Sequence, residues 1–184
     1  MLDQVWDFLK NPINQKLDVT AQERYQLFSR LLFFTVLCSI ILGLITQAIT
    51  TVFQLDFVNH AVDELLTDYS PLAILLLAVI IAPLIEELFF RAPLGLFKQN
   101  TSFRYAYYCS ILLFGLLHIT NFEGLDGQYW AIPILVSPQL SAGIFLGFIR
   151  TKLGLIWSIL LHAAHNSILV GPIVIYLLLD NPIK

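Results

Sequence analysis

Apolar residues gather into five long runs, at about positions 29–53, 70–96, 103–119, 130–149 and 153–179. A helix needs about 20 apolar residues to cross the hydrocarbon core of a bilayer. The runs therefore predict membrane helices, not the alternating strands or one-sided helices of a soluble domain. The last run holds Gly171-Pro172, so it is either one kinked span or two shorter helices. The predicted fold class is all-α, a polytopic transmembrane helical bundle with about five to seven membrane segments and any polar site in the bundle interior. Before the first run there is no short apolar core and no small-residue cleavage site of a signal peptide. Residues 1–28 read instead as a retained cytoplasmic or interfacial segment, with Leu2, Val5, Trp6 and Leu9 as the face of an interfacial helix. No soluble domain, low-complexity linker or short-period repeat interrupts the pattern, so 1–184 reads as a single integral-membrane domain.

Composition agrees and narrows the class. With 58% hydrophobic and only 12% charged residues, and a mean hydropathy of +0.78, the chain lacks the polar residues to coat a soluble globule. A net charge of -3 offers nucleic acid no basic surface, so the expected surroundings are membrane lipids. Cys38 and Cys109 fall inside apolar runs without metal or disulfide spacing and read as packing residues. Basic residues lie on alternate connections: Lys10, Lys16, Arg24 and Arg30 before the first run, Lys98 and Arg104 after the second, Arg150 and Lys152 after the fourth. The other connections carry Asp56, Asp63, Glu64 and Asp68, then Glu123 and Asp126, and no Lys or Arg. Excess Lys and Arg mark cytoplasmic ends, so the N-terminus is expected to be cytoplasmic and the acidic loops external.

Against this background Glu86, Glu87 and Arg91 are conspicuous, because they follow about a dozen apolar residues in the second run. An isolated acid or base in a bilayer costs on the order of 3 kcal/mol or more. Glu87 and Arg91 are four apart and share a helix face, so an ion pair would offset much of that cost. Glu86 points about 100° away and has no such local partner. One base does not compensate two acids, so a purely structural clasp explains the pair and leaves Glu86 over. Pro83, just upstream, cannot donate to the carbonyl of Val79, which predicts a kink or widened turn beside the carboxylates. Pro93 marks a second bend or the helix end.

Two further spans carry polar groups. His118 stands one turn after Phe114 in the third run, while His162 and Asn166 share a face of the last, with His165 beside them. At about 1.5 Å per residue from the basic ends, Glu86 lies about 16 Å deep, His118 about 22 Å and His162 about 10 to 13 Å. These groups can meet in one layer. A carboxylate, imidazoles and an amide in a low-dielectric cavity are the groups needed to activate water and stabilise an oxyanion.

At these residues the sequence resembles the CPBP (CAAX protease and bacteriocin-processing, Abi) intramembrane endopeptidases, which include the type II CAAX prenyl endopeptidases. That family's pattern is EExxxR, FxxxH and HxxxN on successive membrane helices. Here it reads Glu86-Glu87-Leu88-Phe89-Phe90-Arg91, Phe114-Gly115-Leu116-Leu117-His118 and His162-Ala163-Ala164-His165-Asn166. The resemblance spans about 71–171, the expected catalytic core region. It implies that Glu86 and His118 activate water, that His162 and Asn166 bind the oxyanion, and that Glu87 and Arg91 support them. It implies as substrate a membrane-associated peptide or lipidated protein, either a prenylated CAAX sequence or a leader or bacteriocin peptide, cut in the bacterial plasma membrane. The family is also described as metallopeptidases, and Glu86, His118 and His162 could ligate a divalent metal, foremost zinc, with water in the fourth place. No HExxH pair is present, and the expectation is a metal-free mechanism without cofactor. His165 is either a supporting group, a metal ligand or a polar contact outside the chemistry. Two readings from other classes stand beside this one: a non-catalytic immunity or scaffold protein of the same fold, and a proton-coupled transporter, which would call for paired repeats with broken helices.

Overall fold

The computed structural model describes residues 1–55 and 67–180, so the acidic positions Asp56, Asp63 and Glu64 lie outside the described residues. Among these residues every regular element is helical: α1 (Leu2–Lys10), α2 (Ala21–Val52), α3 (Pro71–Leu75), a π-helical turn (Leu76–Ile81), α4 (Ala82–Phe90), α5 (Asn100–Leu117), α6 (Ile132–Leu135), α7 (Ser137–Lys152) and α8 (Leu155–Asp180). Short 3₁₀ turns follow α4 and α5 and precede α6.

Among the described residues three helical stretches are long and apolar enough to cross a membrane, Ala21–Val52, Pro71–Leu96 and Leu155–Leu179, and a fourth results if the bent pair Tyr129–Leu135 and Ser137–Lys152 is one span. The chain is thus an integral membrane helical bundle, with three or four of the expected five to seven segments found among the described residues. The difference lies in α5, whose first turns carry Asn100, Thr101, Ser102, Arg104 and three tyrosines. It is a helix of sufficient length whose N-terminal half is too polar to qualify. The last run is one continuous helix, α8, with Pro172 inside it.

Helix α2 begins at a capping box, Thr20 accepting from Glu23 N while the Glu23 carboxylate reaches back to Thr20 N. Its buried residues Leu27, Leu31, Thr35 and Ser39 recur every four positions as a single inward stripe. Phe33, Ile40, Ile41 and Leu44 face outward, as the lipid-facing side of a span requires. Helix α1 closes one end of the bundle. Val5 and Phe8 are buried, with Phe8 edge-on to Tyr107 and Phe148, while Leu2 and Trp6 face outward. The expected interfacial face is therefore divided, half of it docked on the core.

Helix α7 sits at the centre, packed against α2, α5 and α8. Gly143 and Gly147 let α5 approach closely: a Cβ at Gly147 would stand 2.6 Å from Tyr107 Cε2. The 42° bend between α6 and α7 has a definite cause. Pro138 cannot donate to the carbonyl of Ile134. Ser137 Oγ and Thr46 Oγ1 donate to that carbonyl instead, at 2.8 and 3.0 Å. Pro93 ends α4 as expected, and the exposed carbonyls are capped by side chains. Ser110 Oγ donates to Phe90 O and Arg150 Nε to Arg91 O, both at 2.9 Å.

Candidate active site

Adjacent carboxylates on α4 point in different directions, about 100° apart around the helix. Glu87 and Arg91 are fully buried, and Arg91 Nη1 lies 3.3 Å from Glu87 Oε1. The guanidinium stacks on Phe114, its central carbon 3.9 Å from the ring centroid. Two residues of α8 complete the shell around Glu87. His162 Nδ1 donates to Oε1 at 3.0 Å, and Ser158 Oγ donates to Oε2. Two hydrogen-bond donors and the Arg91 charge converge on one carboxylate, which holds it in place.

Glu86 is 19% exposed and borders a cavity of about 300 Å³. His162 Nε2 lies 3.5 Å from Glu86 Oε2, so one imidazole stands between both carboxylates. His118 also faces the cavity, and its Nδ1–H donates to Phe114 O at 2.8 Å, leaving the Nε2 lone pair unused by the protein. Among the described residues no direct hydrogen bond joins His118 to Glu86. Phe114 acts as a common wall, its ring 4.9 Å from that of His118 and 5.7 Å from that of His162.

Asn166 lies one turn beyond His162 and lines the same cavity. Its Nδ2 donates to Ala78 O at 2.8 Å, and its Oδ1 accepts from His165 Nδ1 at 3.1 Å. His165 Nε2 meets Ser39 Oγ of α2 at 3.0 Å. His165 is thereby placed as the residue that ties Asn166 to α2. All four predicted catalytic positions, Glu86, His118, His162 and Asn166, line one cavity, with Glu87 and Arg91 directly behind.

Three polar residues in this region carry no motif signal. Ser158 is legible in retrospect, since Ser158, His162 and Asn166 form one stripe at four-residue spacing along α8. Ser39 likewise extends the inward stripe of α2. Gln139, at the bend before α7, borders the cavity without any such pattern.

The donor set named for a divalent metal is not assembled. Among the described residues no group of three His, Cys, Asp or Glu side chains is placed to hold a metal ion. His162 directs its two ring nitrogens at Glu87 and Glu86, and His118 stands apart from both carboxylates.

Residues 68–168 match the family model of the type II CAAX prenyl endopeptidase Rce1-like proteins. The chain belongs to this family. The matched region contains every motif position from Glu86 to Asn166. Family membership makes the chain a CAAX-type intramembrane protease in the broad sense. No curated protein and no solved structure matches the chain.

Proposed function

We propose that the chain is an endopeptidase that hydrolyses a peptide bond of a membrane-tethered, prenylated substrate by glutamate-activated water, without a metal cofactor. The observation that supports this most is the meeting of Glu86, His118, His162 and Asn166 around one cavity. Water bound between Glu86 and the free Nε2 of His118 gives a proton to Glu86 as its oxygen bonds to the scissile carbonyl carbon. The carbonyl electron pair moves onto oxygen, where His162 Nε2–H and the second N–H of the Asn166 amide meet it. Collapse breaks the C–N bond, and the proton held by Glu86 passes to the leaving amine.

His162 must carry hydrogen on both ring nitrogens for this role. Nδ1 already faces Glu87 Oε1, the carboxylate oxygen that Arg91 pairs with, so it is a donor there. The oxyanion needs Nε2–H as well.

A second feature favours a lipidated substrate over a plain leader peptide. Ile85, Phe89, Phe90, Leu113, Leu116 and Leu117 line an apolar groove of about 760 Å³ on the outside of α4 and α5, and Glu86 lines it too. A hydrocarbon chain lying there would bring its attached peptide to the carboxylate. Cleavage by the reconstituted protein of a prenylated CAAX peptide, its unprenylated counterpart and a panel of leader peptides tests this. The account expects the prenylated peptide to be cut fastest; equal rates on the unprenylated peptide would overturn the substrate assignment.

A further inference from the structure

Every other polar side chain bordering the cavity is engaged within the protein. Glu86 and His162 face each other, His118 donates to Phe114 O, and His165 links Ser39 to Asn166. Gln139 is the exception. Its Oε1 is buried and has no hydrogen-bond partner among the described residues. A buried carbonyl left unpaired weakens a fold, and an apolar side chain of the same volume would avoid the penalty. Such groups persist in native proteins where a ligand completes them. Pro138 bends the chain immediately before Gln139, and both residues border the cavity, so the break in the helix is also what presents this amide.

We infer that Gln139 binds the main chain of the peptide substrate, its carboxamide turning from its buried position into the cavity it borders and pairing with a backbone amide group close to the scissile bond. An extended peptide offers an N–H and a C=O at every residue, and a carboxamide complements both. Exchange of the amide oxygen and nitrogen leaves this match intact. The contact is made equally in the bound substrate and in the transition state, so it sets KM and leaves kcat. A main-chain contact is also indifferent to substrate side chains, which distinguishes Gln139 from a specificity pocket. The inference rests on the peptidase reading above, and the experiment separates the two.

The test is Gln139→Met in the full chain, a change of similar volume that removes both hydrogen-bonding ends. Two prenylated CAAX peptides with different side chains flanking the scissile bond serve as probes. Expected are a KM raised about tenfold, by the same factor for both peptides, a kcat within about twofold of wild type, and a melting temperature unchanged or raised. An unchanged KM would overturn the inference, and so would a melting temperature lowered by several degrees, which would mark Gln139 as a packing residue. Equilibrium binding of the same peptides in the Glu86→Gln background is the second arm, with affinity expected to fall about tenfold on adding Gln139→Met. If wild type fails to cut while that background binds the peptides with this loss, the peptidase reading falls and the role of Gln139 stands. If neither protein binds the peptides, both fall.

Discussion

Asn166 Nδ2 lies 2.8 Å from the carbonyl oxygen of Ala78, the acceptor that Pro83 leaves vacant. In an ordinary α-helix Pro83 would have orphaned Val79, four residues back. Through the π turn the ladder runs to the fifth residue, as the bond from Ala82 N to Leu77 O shows. The next rung would join residue 83 to Ala78, and proline has no hydrogen to give. The asparagine side chain fills that rung and is held by it.

Substituting Pro83 with alanine therefore supplies a competing donor. Pro83→Ala should fold at least as stably as wild type, because a helix hydrogen bond is restored. It should lose activity, with kcat down about tenfold or more, because Asn166 is released from its anchor. Thermal unfolding and turnover measured on one preparation check both halves. Full activity in a stable Pro83→Ala protein would detach this hydrogen bond from function.

The buried Glu87 gives a stability prediction with a graded outcome. Arg91→Ala removes its countercharge and should destabilise by about 3 to 5 kcal/mol. Ser158→Ala removes one hydrogen bond and should cost about 1 to 3 kcal/mol. Arg91→Lys should fall between Ser158→Ala and Arg91→Ala, because lysine keeps the charge and forfeits the planar stack on Phe114. Detergent-solubilised thermal or chemical unfolding orders the three, and a fully stable Arg91→Ala protein would contradict the burial on which the site is built.

Much of the site could be read from sequence because charges in an apolar run have few inexpensive explanations. Glu86, Glu87 and Arg91 announce themselves, and the four-residue spacing of His162 and Asn166 fixes their shared face. The partner of the second acid was less legible. His162 comes from a helix more than 70 residues away in sequence, and no local spacing reveals that it stands between Glu86 and Glu87. Ser39, Ser158 and Gln139 are uncharged and common in membrane helices, so only packing shows what they touch. The widened turn beside Pro83 was readable, whereas the shift of the vacant carbonyl from Val79 to Ala78 depends on the π register. The count of five to seven segments is not confirmed among the described residues, because α5 joins an apolar half-helix to a polar one.

Orientation gives a prediction of its own. We propose that the ends bearing Lys98, Arg150 and Lys152 are cytoplasmic and that the loop holding Glu123 and Asp126 is external. In a background with Cys38 and Cys109 replaced, Asp126→Cys should react with a membrane-impermeant thiol reagent added to intact cells. Lys98→Cys should react only after lysis. The opposite pattern would reverse the topology.

The choice between metal-free and metal-assisted water activation turns on His162. As an oxyanion donor it can be replaced by a glutamine that still donates, so His162→Gln should keep a measurable fraction of activity. Exhaustive chelation should leave wild-type turnover unchanged. Complete loss of activity on chelation, restored by one zinc per chain, would replace this mechanism with a metal-centred one in the same cavity.

The most direct measurement is single-turnover cleavage of a prenylated CAAX peptide by the reconstituted wild-type chain and by Glu86→Gln. The substitution keeps the shape and hydrogen-bonding reach of residue 86 and removes only its capacity to take a proton from water. The account predicts cleavage by wild type, a loss of about 10³-fold or more in Glu86→Gln, and an unchanged melting temperature. Cleavage by Glu86→Gln at the wild-type rate would contradict the assignment of Glu86 as the base and, with it, the proposed mechanism.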